Sequence, residues 1–197
     1  MAVSNSAHSS FYSLVGGKFR KKVSKETEGA IKRINKKGVE VWELCFDKME
    51  GLIVKIEIKD NKEFGQTLSI NFDDGDILSM IFDSKHAQTF AKVLPNINEK
   101  EQTQFATWID KEGQTAFCIF QNEQPIKWAF TKDNPNGMPK AKKKMKLGKE
   151  AWDFTEVVNF LYENTLEEIK RFHSEVVDNR EDNEQKSNEV GDDELPF

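Results

Sequence analysis

Between residues 39 and 131 apolar and polar positions alternate in short runs. The stretch "VEVWELCF" (39–46) is rich in β-forming residues, and "LIVKIEI" (52–58) sets Leu52, Val54, Ile56 and Ile58 against Lys55 and Glu57. In "TLSINF" (67–72), Leu68, Ile70 and Phe72 fall on one side and Thr67, Ser69 and Asn71 on the other. The turn "DDGD" (73–76) leads into "ILSMIF" (77–82). Three further candidates are "TQFATWID" (103–110), "TAFCIFQ" (115–121) and "PIKWAFT" (125–131). A period of two with turn punctuation predicts an antiparallel sheet.

Two segments carry a helical period instead. In "SKHAQTFAKVLP" (84–95), Ser84 is placed to cap, Ala87, Phe90, Ala91 and Leu94 form a stripe, and Pro95 ends the run. The second, 153–177, opens with Asp153 and Glu156 at capping-box spacing and runs Val157, Val158, Leu161, Thr165, Ile169, Phe172, Val176. That stripe suits packing on the sheet or on another subunit. Residues 1–16 read as a flexible N-terminal segment, 134–149 as a Pro- and Gly-containing basic loop, and 178–197 as a disordered acidic tail. The expected fold is mainly β with two helices. It is an antiparallel barrel like the oligonucleotide/oligosaccharide-binding (OB) fold, with one helix inserted between strands and one after the sheet, in a domain spanning 17–177.

Charge changes this picture. The 197-residue chain carries a net −5, but the stretch 175–197 holds nine acids against Arg180 and Lys186, a net of −7. Residues 1–174 are therefore at +2. A basic body with an acidic tail points to a body that meets polyanions. The 15 Phe and 4 Trp exceed what a wholly disordered chain carries. No apolar run approaches the roughly 20 residues that span a bilayer, and the first residues lack the pattern of a secretory leader. A cytoplasmic protein is expected, with Cys45 and Cys118 buried and reduced.

Catalytic chemistry is thin, and a non-enzyme without metal or cofactor is expected. His8, His86 and His173 are scattered without metal-ligand spacing, so His173 reads as a helix-surface residue. "LVGGKF" (14–19) lacks the spacing of a phosphate loop, and "FDDGDIL" (72–78) reads as a hairpin turn rather than a calcium loop.

Binding chemistry is richer. Single-stranded nucleic acid needs cations along the phosphates and flat rings for unstacked bases. One cation source is Lys18, Arg20, Lys21, Lys22, Lys32, Arg33, Lys36 and Lys37. The other is Lys140, Lys142, Lys143 and Lys144. Phe19, between Lys18 and Arg20, suits a contact to base and phosphate together. Trp108 points away from Phe105, Thr107 and Ile109, which makes it a stacking candidate unless the 153–177 helix covers it. Trp42 and Phe46 fit either core or platform. Phe117 opposes Cys118 and is expected outward, while Trp128, alternating with Ile126 and Phe130, reads as core.

The last six residues, "DDELPF", join three acids to a branched aliphatic, a proline and a phenylalanine. This order resembles the C-terminal tip of single-stranded DNA-binding proteins of the SSB family. Asp192, Asp193 and Glu194 match the acids, Leu195 the aliphatic, and Pro196 and Phe197 the final pair. The body lacks the bacterial family's opening strand signature, which points to a divergent, phage-encoded member working in bacterial cytoplasm. The resemblance implies non-specific coating of single-stranded DNA. It also implies recruitment of DNA replication, recombination and repair proteins by the tip, and leaves a homo-oligomer open. Acids steer the tip toward a basic patch while Phe197 fills a pocket, and burying one Phe contributes roughly 2–3 kcal/mol, enough for a weak, exchangeable contact. The competing reading is an interaction adaptor that uses such a tip without holding DNA.

Overall fold

A computed structural model describes residues 9–35, 37–62, 65–146 and 149–188, with side chains at the C-terminal end given as far as His173. Lys36 and the tip 192–197 lie outside the described residues. The strands are β1 (Phe11–Val15), β2 (Lys18–Val23), β3 (Ile31–Ile34), β4 (Glu40–Phe46), β5 (Lys48–Gly51), β6 (Ile53–Asn61), β7 (Gly65–Phe72) and β8 (Ile77–Ile81). Helix α1 (Lys85–Val93) follows, then β9 (Thr103–Ile109), β10 (Thr115–Gln121), β11 (Gln124–Pro125), β12 (Lys142–Lys146), β13 (Lys149–Asp153) and α2 (Thr155–Asn188).

Seven strands form one sheet in the order β3-β4-β2-β1-β8-β7-β6. Its pairings are antiparallel except that between β1 and β8. A second sheet runs β11-β10-β9-β5, and β12 pairs with β13 alone. The larger sheet ends in two edges, β3 and β6, so the expected barrel is not closed. The two sheets are linked by a nearly continuous strand. β4 ends at Phe46, β5 begins at Lys48, and the carbonyl of Asp47 between them accepts from the Thr107 amide at 2.9 Å. Gly51 ends β5 against Phe72, where an added Cβ would lie 2.9 Å from the ring.

The core lies between the two sheets and the helices. Phe19, Ile56, Leu68, Ile70, Leu78, Phe90 and Phe105 are fully buried, each side chain contributing roughly 1.5–3 kcal/mol. Helix α1 is capped as its sequence predicts, with the Ala87 amide donating to Ser84 Oγ at 3.2 Å. Its stripe of Ala87, Phe90 and Ala91 faces inward. Val157, Leu161, Thr165 and Phe172 place α2 against α1 and β6.

Several elements differ from expectation. The residues at 11–15, 18–23 and 31–34, read as flexible or merely basic, are strands. Ile56 is buried as expected, but a bulge between Ile53 and Lys55 shifts the face of β6 before it, so Ile53 turns inward while Leu52 and Val54 are half-buried. Residues 126–131 are not a strand, and the last backbone bond to β10 is the Ile126 amide donating to the Ile119 carbonyl at 2.9 Å. Within the expected basic loop, 142–146 form β12, which pairs with β13 over Lys149–Asp153, while 134–141 carry no strand. Helix α2 begins at Thr155, since Asp153 belongs to β13 and accepts from the Thr155 amide at 3.1 Å. It continues to Asn188, past the predicted end at 177. Cys45 and Cys118 are both free thiols, half-buried rather than buried. No helix among the described residues is long and apolar enough to cross a membrane.

Candidate nucleic-acid interface

Strands β9 and β10 pair Trp108 with Ala116, Ala106 with Cys118 and Gln104 with Phe120. Alternation sends Phe105, Thr107 and Ile119 into the core and leaves these pairs on the outer face. Ala106 and Ala116 are small, so Trp108 stands proud of its neighbours with 46% of its surface exposed. An open groove of about 760 Å³ runs from Trp108 past Ala106 and Gln104 to Phe120, with Lys48 and Glu50 alongside. On the other side of the ring, Gly17, Lys18, Asp47 and Lys48 line a second depression. Trp108 is thus shared by a groove with a second aromatic ring and a depression with two lysines.

The groove is not uniformly basic. Glu50 accepts from Gln104 Nε2 at 2.9 Å, and Lys18 is ion-paired with Asp47. Lys48 has no carboxylate partner among the described residues. Positive potential therefore concentrates at the Lys18–Lys48 end.

A second cationic region lies across β2, β4 and β3. Glu43 on β4 is 2% exposed and holds two arginines. Arg33 donates through Nε at 2.9 Å and Nη2 at 2.6 Å, and Arg20 through Nη1 at 3.0 Å. The Arg33 hydrogen bonds hold the Glu43 carboxyl below its ordinary range, helped by Arg20 and opposed by burial. Two guanidinium groups on one carboxylate leave a net positive charge. Lys22 is exposed beside them, whereas Lys32 pairs with Glu40. Lys21 lies on the opposite face, its Nζ 5.8 Å from the centre of the Tyr12 ring. Burial first, and then a hydrogen bond to Asp76, push the Tyr12 hydroxyl up to about 12. Lys37 is exposed in the turn between β3 and β4.

The lysines of the third region sit on the β12–β13 hairpin or just before it. Lys140 is exposed. Lys142 pairs with Glu156 at 2.5 Å, Lys143 with Glu150 at 2.7 Å, and Lys144 with Asp153. The first two are exposed at both ends and worth about 0–1 kcal/mol each, which phosphate oxygens can displace, whereas Asp153 is half-buried and also accepts from Thr155.

Three aromatic expectations are corrected. Phe19 has no exposed surface and is core, because its strand position faces Leu14 and Phe46 on the inner side. Phe117 also faces inward, half-buried, with Phe105 stacked at 6.1 Å and His86 edge-on at 5.6 Å. Burial, with Lys85 nearby, lowers the His86 pKa. Trp128, expected in the core, is 48% exposed with Lys92 Nζ 4.7 Å from its ring centre. Trp42 is half-buried, and Phe46 is partly exposed with Tyr12 edge-on at 6.0 Å. Trp108 lies on the face away from the core, and α2 packs elsewhere.

Two rings escaped sequence reasoning. Phe120 shares the groove with Trp108, and the signal was available in parity, since Phe117 and Phe120 must face opposite ways on one strand. Trp152 lies exposed on β13, just past the loop expected at 134–149. Among the described residues no group of three or more His, Cys, Asp and Glu side chains is placed to hold a metal ion. Comparison with protein-family models, curated proteins and solved structures finds no match for this chain.

Proposed function

We propose that the protein is a non-catalytic single-stranded DNA-binding protein of the SSB type, phage-encoded. It coats DNA with little sequence preference and recruits replication, recombination and repair proteins through residues 192–197. The observation that carries the binding half is Trp108, an exposed ring between a groove that holds Phe120 and a depression that holds Lys18 and Lys48. A base can stack on the indole while phosphates meet the lysines. The Arg20–Arg33 pair and Lys22 add a second positive surface on the neighbouring sheet. Two sheets sharing the bent β4–β5 strand fit a partly open barrel of the OB type, with α1 inserted between strands. The recruitment half rests on the order of acids, Leu195, Pro196 and Phe197.

Titration with a poly-dT oligonucleotide and a matched duplex at two salt concentrations tests the reading. Strong preference for the single strand, quenched Trp fluorescence and weakening with salt support it. Equal or absent binding to both sinks it and favours an adaptor that only presents the tip.

A further inference from the structure

Among the described residues the β12–β13 hairpin makes its extensive contacts within itself, with Lys142 reaching Glu156 on α2. An isolated two-stranded hairpin is marginally stable in water, so its apolar face is poorly served by solvent. That face is large for so small an element. Met145 is 70% exposed and Trp152 61%, both on the side where Lys143 pairs with Trp152 across the strands. Lys143 Nζ lies 5.7 Å from the centre of the Trp152 ring. Lys142 and Lys144 alternate to the other side. From 140 to 153 six lysines oppose only Glu150 and Asp153.

We propose that this hairpin is a nucleic-acid-binding arm, in which Trp152 stacks on a base, Lys143 beside it meets a flanking phosphate, and Lys142 and Lys144 on the other side meet phosphates further along the strand. The inference rests on the proposed single-stranded DNA binding and adds to it a second contact on a separate element. Charge selects the occupant. A second copy of the chain would bring one +4 arm against another and would gain only Trp and Met burial against that repulsion. A phosphate backbone neutralises the lysines, releases counterions and supplies flat bases for the ring. Lys142 and Lys143 already sit in exposed ion pairs of small worth, so exchanging carboxylate for phosphate costs them little.

The test uses the full chain and an end-labelled oligo-dT of about 16 nucleotides, the upper range for one domain of this kind. Trp152→Ala should weaken binding about five- to 150-fold, the effect of losing one base–aromatic stack. Trp152→Phe, which keeps a ring, should recover most of it. Replacing Lys142, Lys143 and Lys144 by Gln should lower the slope of log affinity against log salt by about two, at roughly 0.7 per phosphate on single strands. Wild-type binding that Trp152→Ala leaves unchanged overturns the arm while the proposed function stands. A wild-type chain that ignores oligo-dT overturns both. Dissociation of a dimer by Trp152→Ala in sedimentation, with DNA affinity unchanged, overturns the arm in favour of self-association.

Discussion

Thr107 Oγ1 on β9 donates to the carbonyl of Gly17 at 2.8 Å, a buried hydrogen bond that joins the second sheet to the β1–β2 turn. Gly17 sits at φ +68°, and an added Cβ would lie 2.7 Å from Ile109 Cδ1. Thr107→Val keeps the shape and strands the carbonyl, so urea unfolding should show a loss of about 1–3 kcal/mol. Gly17→Ala should destabilise as well, through strain and the clash. Equal midpoints for Thr107→Val and the wild type would mean that water replaces the bond.

Glu43 makes stability depend on acid. Its folded pKa lies below the ordinary carboxylate value, so the unfolded chain binds the proton more readily. The contribution is complete above the ordinary value of about 4.3 and is lost as pH falls through the folded value. Unfolding midpoints of the wild type should therefore drop below about pH 4.3. Glu43→Gln should cost about 1–3 kcal/mol at neutral pH, because Arg20 and Arg33 lose their shared partner, and should flatten that acid limb. An acid limb of unchanged slope in the variant would place the titrating group elsewhere.

Trp108 and Phe19 should respond in opposite ways. Trp108→Ala should weaken single-stranded DNA binding by about 1–3 kcal/mol with little change in Tm. Phe19→Ala empties a fully buried site and should cost about 3–5 kcal/mol of folding stability. A lowered Tm for Trp108→Ala with unchanged affinity would assign that ring to packing.

Removing 192–197 takes away three acids and the Leu-Pro-Phe anchor. Partner binding should be lost, while DNA affinity should hold or rise, most at low salt where charges are least screened. Phe197→Ala keeps every acid, so DNA binding should barely move while partner docking falls. Weaker DNA binding on deleting the tip would reverse its assigned role.

Legibility followed the faces. In β7 one side meets core and the other solvent, so Leu68, Ile70 and Phe72 announce themselves against Thr67, Ser69 and Asn71. In β2 only Phe19 is buried among Lys18, Arg20, Lys21 and Lys22, and one apolar residue does not set a period. In β10 both faces are apolar, with Phe117 and Ile119 inside and Cys118 and Phe120 outside, so alternation names two faces without saying which is buried. Ile126, Trp128 and Phe130 alternate like a strand. There the backbone follows the end of α1, with the Ala129 amide donating to the Lys92 carbonyl at 2.7 Å, and Trp128 turns to solvent. The outward side of Trp108 was suggested by its polar neighbours, with cover by the C-terminal helix left open, whereas the hairpin was hidden because its lysines outnumber its apolar residues.

The position of α2 has a further meaning. β6 ends the seven-stranded sheet, and its Ile56 amide points away from β7 to donate to His173 Nε2 on the helix at 3.2 Å. An open strand end of this kind is a template on which an unfolded or neighbouring chain can add itself and begin to aggregate. By setting a histidine acceptor and the buried Phe172 against that strand, the helix occupies the place such a chain would take. In the proposed role, many copies gather along one DNA strand and bring their sheet edges close together. For such a protein, a guarded edge separates orderly crowding from precipitation.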